Sequence, residues 1–252
     1  MYPRRVLLSW STGKDSAWTL YRLRAEPRTE VVGLLTSFNQ TANRVSMHAV
    51  RRELVEAQAA ELDLALWPVL LPDPCSNEAY EREMARAITR ARQEKVTHIA
   101  FGDLFLEDVR DYRIGQLKGT GVEPLFPLWG TPTATPDLAK SMLGGGLKAI
   151  VTCVDTQRLP ETFLGRTFDA TFLSELPPHA DPCGEWGEFH TFCFGGPMFR
   201  SELPVRAGQT VRSGQFGFAD VLLDNDCVNL ALPFSPLESH RTYRTTSLKR
   251  GT

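Results

Sequence analysis

One short segment arranges small, hydroxyl and charged residues in an order that suits the binding of an anion. Residues 9–16 read Ser-Trp-Ser-Thr-Gly-Lys-Asp-Ser, after a short apolar run and before a segment that favours a helix. Small residues let a backbone turn tightly, and the free N–H groups and dipole of a helix start attract negative charge. We therefore predict a phosphate-binding loop whose members are Ser9, Ser11, Thr12, Gly13, Lys14, Asp15 and Ser16.

We expect the two charged residues of this loop, Lys14 and Asp15, to have different roles. Lys14 can neutralise a leaving phosphate group and is a candidate catalytic residue. Asp15 is itself negative, so we expect it to cap the loop or to reach phosphate through Mg2+, as a metal ligand. The segment is not a Walker A loop, because Leu8 stands where the first glycine would be and Asp15 follows Gly13 and Lys14. The chain also contains no Gly-x-Gly-x-x-Gly fingerprint.

A second cluster follows the apolar run 97–101. Gly102 and Asp103 come first, and Asp103 is suited to bind a metal or a nucleotide at the end of a strand. Arg110 and Arg113 are three residues apart and share one helix face, where they can clamp a phosphate or a substrate carboxylate. The alternative is a solvated helix whose arginines pair with its own acids.

A third cluster occupies residues 181–191, which read Asp-Pro-Cys-Gly-Glu-Trp-Gly-Glu-Phe-His-Thr. Three acids and a histidine stand close together between glycines that favour turns. Base catalysis, polar recognition of a substrate and metal binding are all consistent with it, although no spacing is diagnostic of zinc. For Cys183 a packed thiol is favoured over a nucleophile. The candidate catalytic residues are Glu185, Glu188 and His190, and the candidate substrate-binding residues are Gly184 and Thr191.

The first half of the chain alternates apolar runs with amphipathic segments. This alternation predicts right-handed crossovers and a doubly wound parallel sheet, whose ligands bind outside the carboxyl ends of the strands. The clusters at residues 9–16 and 102–103 both follow predicted strands, so they should meet at that edge. The predicted strands are 5–10, 31–36, 66–71 and 97–101, and the predicted helices are 16–24, 47–62 and 77–93.

The pattern changes at residues 124–132, where three prolines and a glycine interrupt it. We place a domain boundary here, between a first domain of residues 1–126, which carries the predicted phosphate-binding loop, and a smaller substrate-binding domain of residues 127–235. The second part predicts a helix at 136–143, a strand at 148–154 and several short β-prone runs. Residues 236–252 are polar and basic, and we expect a flexible tail.

Composition limits the classes of protein that fit. The 252 residues carry a net charge of −2, so a general nucleic-acid surface is not expected. The five cysteines include no Cys-x-x-Cys pair, which argues against a disulfide scaffold or a zinc knuckle. No apolar run reaches the length of a membrane span. We expect a cytoplasmic protein with no membrane partner.

Two of these clusters resemble known proteins. Residues 11–16 resemble the pyrophosphate loop Ser-Gly-Gly-x-Asp-Ser of the N-type ATP pyrophosphatases, the PP-loop superfamily, with Thr12 in place of the first glycine. Residues 181–191, together with Pro127-Leu128-Trp129, resemble the diphthine–ammonia ligase family, also described as adenine nucleotide alpha hydrolase-like. That family usually carries Asn where Trp186 stands here.

The resemblance implies a fold, a reaction and several partners. The fold is α/β, a Rossmann-like (HUP-type) doubly wound parallel sheet with a smaller α+β C-terminal domain. The implied reaction uses ATP and Mg2+ to adenylate a carboxylate of a small molecule or protein, releases pyrophosphate, and forms an amide with ammonia or an amine. In this superfamily the adenine lies at the edge that Leu35 and Thr36 form here. His48, on the following helix or at its entry, is a candidate to face the nucleotide, and the alternative is a structural histidine. A homodimer is one arrangement left open.

Other functions remain alternatives at this stage. A hydrolase that splits ATP between its α- and β-phosphates, or a sensor that binds AMP or ATP without chemistry, would use the same loop. A tRNA-thiolating PP-loop enzyme would also share it, but such an enzyme needs paired catalytic cysteines and a basic face.

Overall fold

The computed structural model describes residues 3–45 and 49–224, which form two β-sheets and the helices packed against them. The described strands are β1 (Arg4–Ser9), β2 (Thr29–Asn39), β3 (Arg44–Val45), β4 (Leu66–Leu71), β5 (His98–Ala100), β6 (Glu123–Leu125), β7 (Lys148–Asp155), β8 (Phe189–Gly195), β9 (Val205–Ser213) and β10 (Phe216–Leu223). The described α-helices are α1 (Lys14–Arg24), α2 (Arg52–Glu61), α3 (Asn77–Gln93), α4 (Glu107–Leu117), α5 (Thr135–Gly144) and α6 (Ala170–Glu175).

The first sheet is parallel apart from one short strand. Its parallel strands lie in the order β4-β2-β1-β5-β6, and β3 adds an antiparallel hairpin to β2. The chain moves outward from β1 in one direction through β2 and β4, then returns to add β5 on the other side. This reversal creates a crevice beside the carboxyl end of β1, the place where ligands of doubly wound sheets bind.

Strand β1 is central because both of its faces are apolar. Leu8 and Leu7 are fully buried on opposite faces of the sheet, as expected of a strand covered on both sides. The Leu8 face belongs to a core that includes residues of α1 and α2. The Leu7 face belongs to a second core with residues of α3 and α4. Helices therefore cover both faces and fix the crevice between them.

The second sheet is antiparallel, in the order β8-β7-β10-β9. Phe189 and Phe192 of β8, together with Phe172 of α6, join the same core that packs α1 and α2 against the first sheet. Strand β8 lies next to α1. Thus the second half of the chain is built directly behind the loop that leads into α1.

The predicted α/β fold with a smaller C-terminal α+β part is confirmed, and one helix boundary is corrected. Helix α2 begins at Arg52 and not at Met47, because Ala49 has a positive φ of 54° and Arg51 pairs with Arg44 as a β-bridge.

The domain boundary placed at residue 126 stays a prediction, and the tail predicted at 236–252 lies outside the described residues. Within residues 3–45 and 49–224, no helix has the length and apolar character needed to cross a membrane.

Candidate nucleotide site and substrate cleft

The loop between β1 and α1 lies at the crevice of the parallel sheet. Gly13 is the N-cap of α1 and provides no side-chain cap, so helix N–H groups are left for other partners. The Ser16 hydroxyl donates to the Gly13 carbonyl at 2.9 Å, and the Ser11 hydroxyl contacts that of Ser16 at 3.3 Å. Hydroxyls and a helix start therefore converge here, as an anion site requires.

The side chain of Lys14 turns away from solvent into the second half of the chain. Only 2% of Lys14 is exposed, and its Nζ binds both carboxylate oxygens of Asp15, at 2.8 and 3.0 Å. Nζ also donates to the Cys183 carbonyl and lies 5.3 Å from the ring centre of Phe189. Burial lowers the pKa of Lys14, but Asp15 and Cys183 outweigh burial and leave the pKa raised. The Lys14 ammonium therefore connects the phosphate loop to Cys183 and Phe189 in the second half of the chain.

Strand β8 fixes the loop backbone. The Thr191 hydroxyl accepts a hydrogen bond from the Lys14 amide at 3.1 Å, and the Cys193 amide donates to the Thr12 carbonyl at 2.8 Å. Thr191, predicted to bind substrate, therefore directs its hydroxyl at the loop. The Lys14 amide is engaged before any phosphate arrives.

The end of β5 approaches the same helix start. A Cβ on Gly102 would lie 3.1 Å from the carbonyl carbon of Asp15 and 3.2 Å from the Ser16 amide nitrogen. Glycine is needed here because backbone meets backbone. The two clusters predicted after β1 and β5 are therefore adjacent.

The neighbouring strand end, which sequence reasoning assigned to adenine, is tied to the loop. The Trp10 amide donates to the Leu35 carbonyl at 2.8 Å, and the Thr36 hydroxyl donates to the Trp10 carbonyl at 3.0 Å. Ser9 pairs with Leu35 in the β1–β2 register. His48, the remaining candidate of this group, lies outside the described residues.

Asp103 stands on the other side of the loop, at the end of β5. Its Oδ2 is buried and has no hydrogen-bond partner within the described chain, although Arg113 Nε lies 3.7 Å away. Burial raises the pKa of Asp103, Arg113 opposes the rise, and Asp15 adds to it. Arg110, one helical turn before Arg113, stacks with its Cζ 4.6 Å from the ring centre of Trp129. The two arginines thus occupy different surroundings.

Residues 181–188 form a compact turn that brings one carboxylate to this edge. Gly184 has a φ of +70°, and a Cβ there would lie 2.8 Å from the Phe189 carbonyl oxygen, so the turn needs glycine. The Glu185 carboxylate accepts a hydrogen bond from the Leu104 amide at 2.8 Å, and the Glu185 amide donates to Asp181 at 2.9 Å. Burial, with the Asp15 charge second, raises the pKa of Glu185 to about 8.

The other two candidate catalysts of this cluster point elsewhere. Glu188 has no exposed surface, and its Oε1 accepts a hydrogen bond from the Asp181 amide at 3.0 Å. His190 follows Phe189 in β8, and side chains alternate between the faces of a strand. Because Phe189 and Thr191 both contact Lys14, His190 lies on the opposite face. The structure therefore brings Glu185 to the loop edge and separates Glu188 and His190 from it.

The buried thiols are poorly suited to nucleophilic chemistry. Cys153, Cys183 and Cys193 are all buried, and burial raises the pKa of each. For Cys153 and Cys193 the pKa rises to about 12. A thiol with such a pKa carries almost no thiolate at neutral pH. The packed-thiol interpretation of Cys183 fits this environment.

Two residues of the site were not among the predicted site residues. Gln58 of α2 is fully buried and contacts the loop. Trp186 is 51% exposed at the tip of the 181–188 turn, and its ring packs edge-on against Phe105 at 5.1 Å between centres. A helical glutamine carries no pattern of its own, whereas an exposed tryptophan between two glycines could have been singled out.

No group of three or more potential metal ligands exists among residues 3–45 and 49–224. Three carboxylates lie around the loop: Asp15, whose oxygens both contact Lys14, Glu185, which accepts from the Leu104 amide, and Asp103. The Asp103 Oδ2 makes no hydrogen bond within the described residues, and Arg113 Nε lies 3.7 Å from it, so this oxygen fits a cation that arrives with a phosphate ligand.

The fold and the loop define the class of protein as an ATP-binding α/β protein with a Rossmann-like sheet. Sequence models of two domains then narrow the class to one family. The model of the diphthamide synthase N-terminal domain matches residues 4–119, and that of its C-terminal domain matches residues 135–224. The chain belongs to this family, which confirms the resemblance to diphthine–ammonia ligases.

Curated relatives agree with the family. The chain is 30% identical over 135 residues to the diphthine–ammonia ligase of Homo sapiens, covering 51% of this chain and 49% of the relative. It is 32% identical over 105 residues to the enzyme of the same name from Danio rerio, with 40% of each chain covered. The chain thus spans about half the length of the curated relatives it matches.

Proposed function

We propose that this chain is an ATP-dependent amide ligase that transfers AMP to a substrate carboxylate, releases pyrophosphate, and forms an amide as ammonia displaces AMP. One observation carries the proposal, namely that two groups meet at one edge of the parallel sheet. The phosphate loop opens α1 there, and the Glu185 carboxylate reaches the same edge on the Leu104 amide. The family match and the ligase names of the relatives support this reaction class.

ATP would lie across the carboxyl ends of β1 and β2. Its adenine would contact backbone groups at Leu35 and Thr36, and its phosphates would face the hydroxyls and helix start of α1. The Lys14 amide is already bound to Thr191 and its ammonium is enclosed. Lys14 would therefore act on the phosphates through its charge and through the loop that it stabilises, without direct contact.

Mg2+ would accompany ATP and neutralise charge on the phosphates. Mg2+ keeps several waters and needs only one or two carboxylates from a protein. Asp103 fits this part because its Oδ2 is buried without a hydrogen-bond partner in the described chain. Asp15, the ligand predicted from sequence, can take the part only when its ion pair with Lys14 opens.

The substrate carboxylate would bind on the β5 side of the loop. Arg110 suits this task because stacking on Trp129 holds its guanidinium plane, which limits the entropy lost on binding. Arg113 is directed at Asp103 and would hold that carboxylate in place. The two arginines predicted to clamp one ligand would thus act on different groups.

Glu185 would take a proton from the attacking ammonia as the new C–N bond forms and AMP departs. A group acts best as a general base when its pKa lies near the working pH, and the pKa of Glu185 is raised to about 8. Glu188 binds the Asp181 amide of the same turn and would position Glu185. Catalysis by His190 remains a proposal from sequence, and its place on the far face of β8 gives it no support.

Diphthine is the first substrate to test, because the relatives are named for it. Trp186 would contact the substrate from the rim of the cleft, since half of its surface is open beside the Glu185 carboxylate. The Asn usual in the family would offer hydrogen bonds at this point, whereas an indole offers a flat apolar face. Trp186 would thus affect which carboxylate substrates the chain binds.

The test is a product assay with ATP labelled at the α-phosphate, with Mg2+, ammonium and a diphthine-bearing protein. We expect labelled AMP, pyrophosphate, and a substrate in which the carboxylate has become an amide. AMP without amide would replace the ligase with an ATP hydrolase, and bound nucleotide without product would replace it with a sensor. Labelled ADP would contradict cleavage at the α-phosphate. The buried thiols argue against thiolation as a competing outcome.

A further inference from the structure

Thr12 is held in a backbone conformation that threonine rarely adopts. Its φ is +75°, in the left-handed region that favours glycine, and β-branched residues are especially disfavoured there. Thr12 is fully buried, and its hydroxyl finds no hydrogen-bond partner among the described residues. The side chain therefore does not explain the conformation, and contacts made by the backbone must hold it.

Gln58 of α2 makes the main side-chain contact with the backbone of Thr12. Its Nε2 donates to the Thr12 carbonyl at 3.0 Å and to the Cys193 carbonyl at 2.6 Å, and its Oε1 accepts from Trp10 Nε1 at 2.8 Å. One amide thus joins the end of β1, the phosphate loop and β8. It is fully buried, so water does not compete for these bonds.

We infer that Gln58 is a positioning residue that holds the phosphate loop in its ATP-binding conformation by restraining Thr12. This inference rests on the proposed function, because it assigns a cause to ATP affinity. With Thr12 held in the left-handed region, the turn into α1 keeps its shape before ATP arrives, so binding loses less entropy. The Cys193 amide also holds the Thr12 carbonyl, but among the described residues Gln58 is the side chain that links that carbonyl to Trp10.

A second substitution should restore the ATP affinity that Gln58→Met loses. A glutamine that only stabilised the fold would give no such rescue. Gln58→Met keeps the size of the side chain and removes its hydrogen bonds, so Thr12 can leave the left-handed region. Glycine adopts that region without strain. Adding Thr12→Gly to Gln58→Met should therefore restore ATP affinity without restoring the hydrogen bonds or the melting temperature.

The experiment measures the dissociation constant of Mg-ATP by calorimetry and the melting temperature, both on the full chain. Gln58→Met should weaken ATP binding about tenfold. The double variant should recover most of that loss. Gln93→Met, at the exposed end of α3, is the matched control and should bind as the unchanged chain does. If Gln58→Met does not fold, Trp10→Phe removes one bond to Gln58 and should weaken binding about threefold.

Each outcome decides the inference. An unchanged dissociation constant in Gln58→Met with a lowered melting temperature would overturn it and leave Gln58 a stabilising residue. Weakened binding that Thr12→Gly does not restore would overturn the restraint on Thr12. No ATP binding by the unchanged chain would overturn the proposed function, and this inference with it.

Discussion

The phosphate loop and the 181–191 segment differ in how closely their chemistry follows their sequence. In the loop, consecutive residues turn into a helix start, so the Ser11 and Ser16 hydroxyls lie together beside the first turn of α1. In residues 181–191 a turn gives way to a strand, and the acids and the histidine are distributed among different surroundings. Glu185 reaches the Leu104 amide after β5, Glu188 is enclosed, and His190 lies on the far face of β8. Density of functional residue types predicts a site only where the backbone keeps them together.

The strongest way to break this comparison is to remove the side chain that joins the two regions. Lys14→Met would leave the partly buried Asp15 carboxylate and the Cys183 carbonyl without their cation. Because only the lysine of this pair is fully buried, we expect a loss of about 2 kcal/mol of unfolding free energy, below the cost for a fully buried pair. Urea unfolding of Lys14→Met and of Lys140→Met, an exposed control, measures the difference. Equal losses in both variants would mean that Lys14 does not join the regions.

A second prediction separates two glutamates of the same segment. Glu185→Gln keeps the bond from the Leu104 amide but cannot accept a proton, so we expect kcat to fall about 100-fold or more. Glu188→Gln still accepts from the Asp181 amide and should keep most of its turnover. Steady-state kinetics of both variants measures the contrast. An equal loss of kcat in both variants would mean that both carboxylates take part in catalysis, and it would contradict a catalytic role for Glu185 alone.

The third prediction concerns the pH dependence of stability. The pKa of Glu185 rises from 4.5 to about 8 on folding, so the folded state binds a proton that the unfolded state releases. Its contribution is full below pH 4.5 and is lost as the pH rises through about 8. The free energy of unfolding should therefore fall by about 1 kcal/mol for each pH unit within this window. Urea titrations at a series of pH values should show that slope reduced in Glu185→Gln, and an unchanged slope would exclude Glu185 as its source.

The smallest expected effect lies at the rim of the cleft. Trp186→Asn removes an exposed ring that packs on Phe105 and introduces the residue usual in the family. We expect the KM for the carboxylate substrate to change about threefold to tenfold, because one aromatic contact is lost. The KM for ATP should stay constant, since the ring lies on the substrate side. A change confined to the KM for ATP would place Trp186 with the nucleotide instead.

The parts of the fold that could be predicted are those whose signal is local. Apolar runs such as Val6-Leu7-Leu8 form strands buried on both faces, and they predicted the parallel sheet. The predicted start of α2 at Met47 was wrong. Arg51 forms a β-bridge with Arg44, and this contact keeps residue 51 extended although the apolar residues around it follow helical spacing. Thr191 on the Lys14 amide and Gln58 on the Thr12 carbonyl join residues more than 40 positions apart. Such partners have no local pattern, so the sequence could not predict them.

The central claim is that the loop activates the carboxylate and Glu185 serves the transfer of nitrogen. A single-turnover measurement on Glu185→Gln, with Mg-ATP, the carboxylate substrate and ammonium, tests it most directly. We expect one equivalent of pyrophosphate at the rate of the unchanged chain, with little amide formed. Loss of the pyrophosphate burst, or amide formed at the full rate, would contradict the claim.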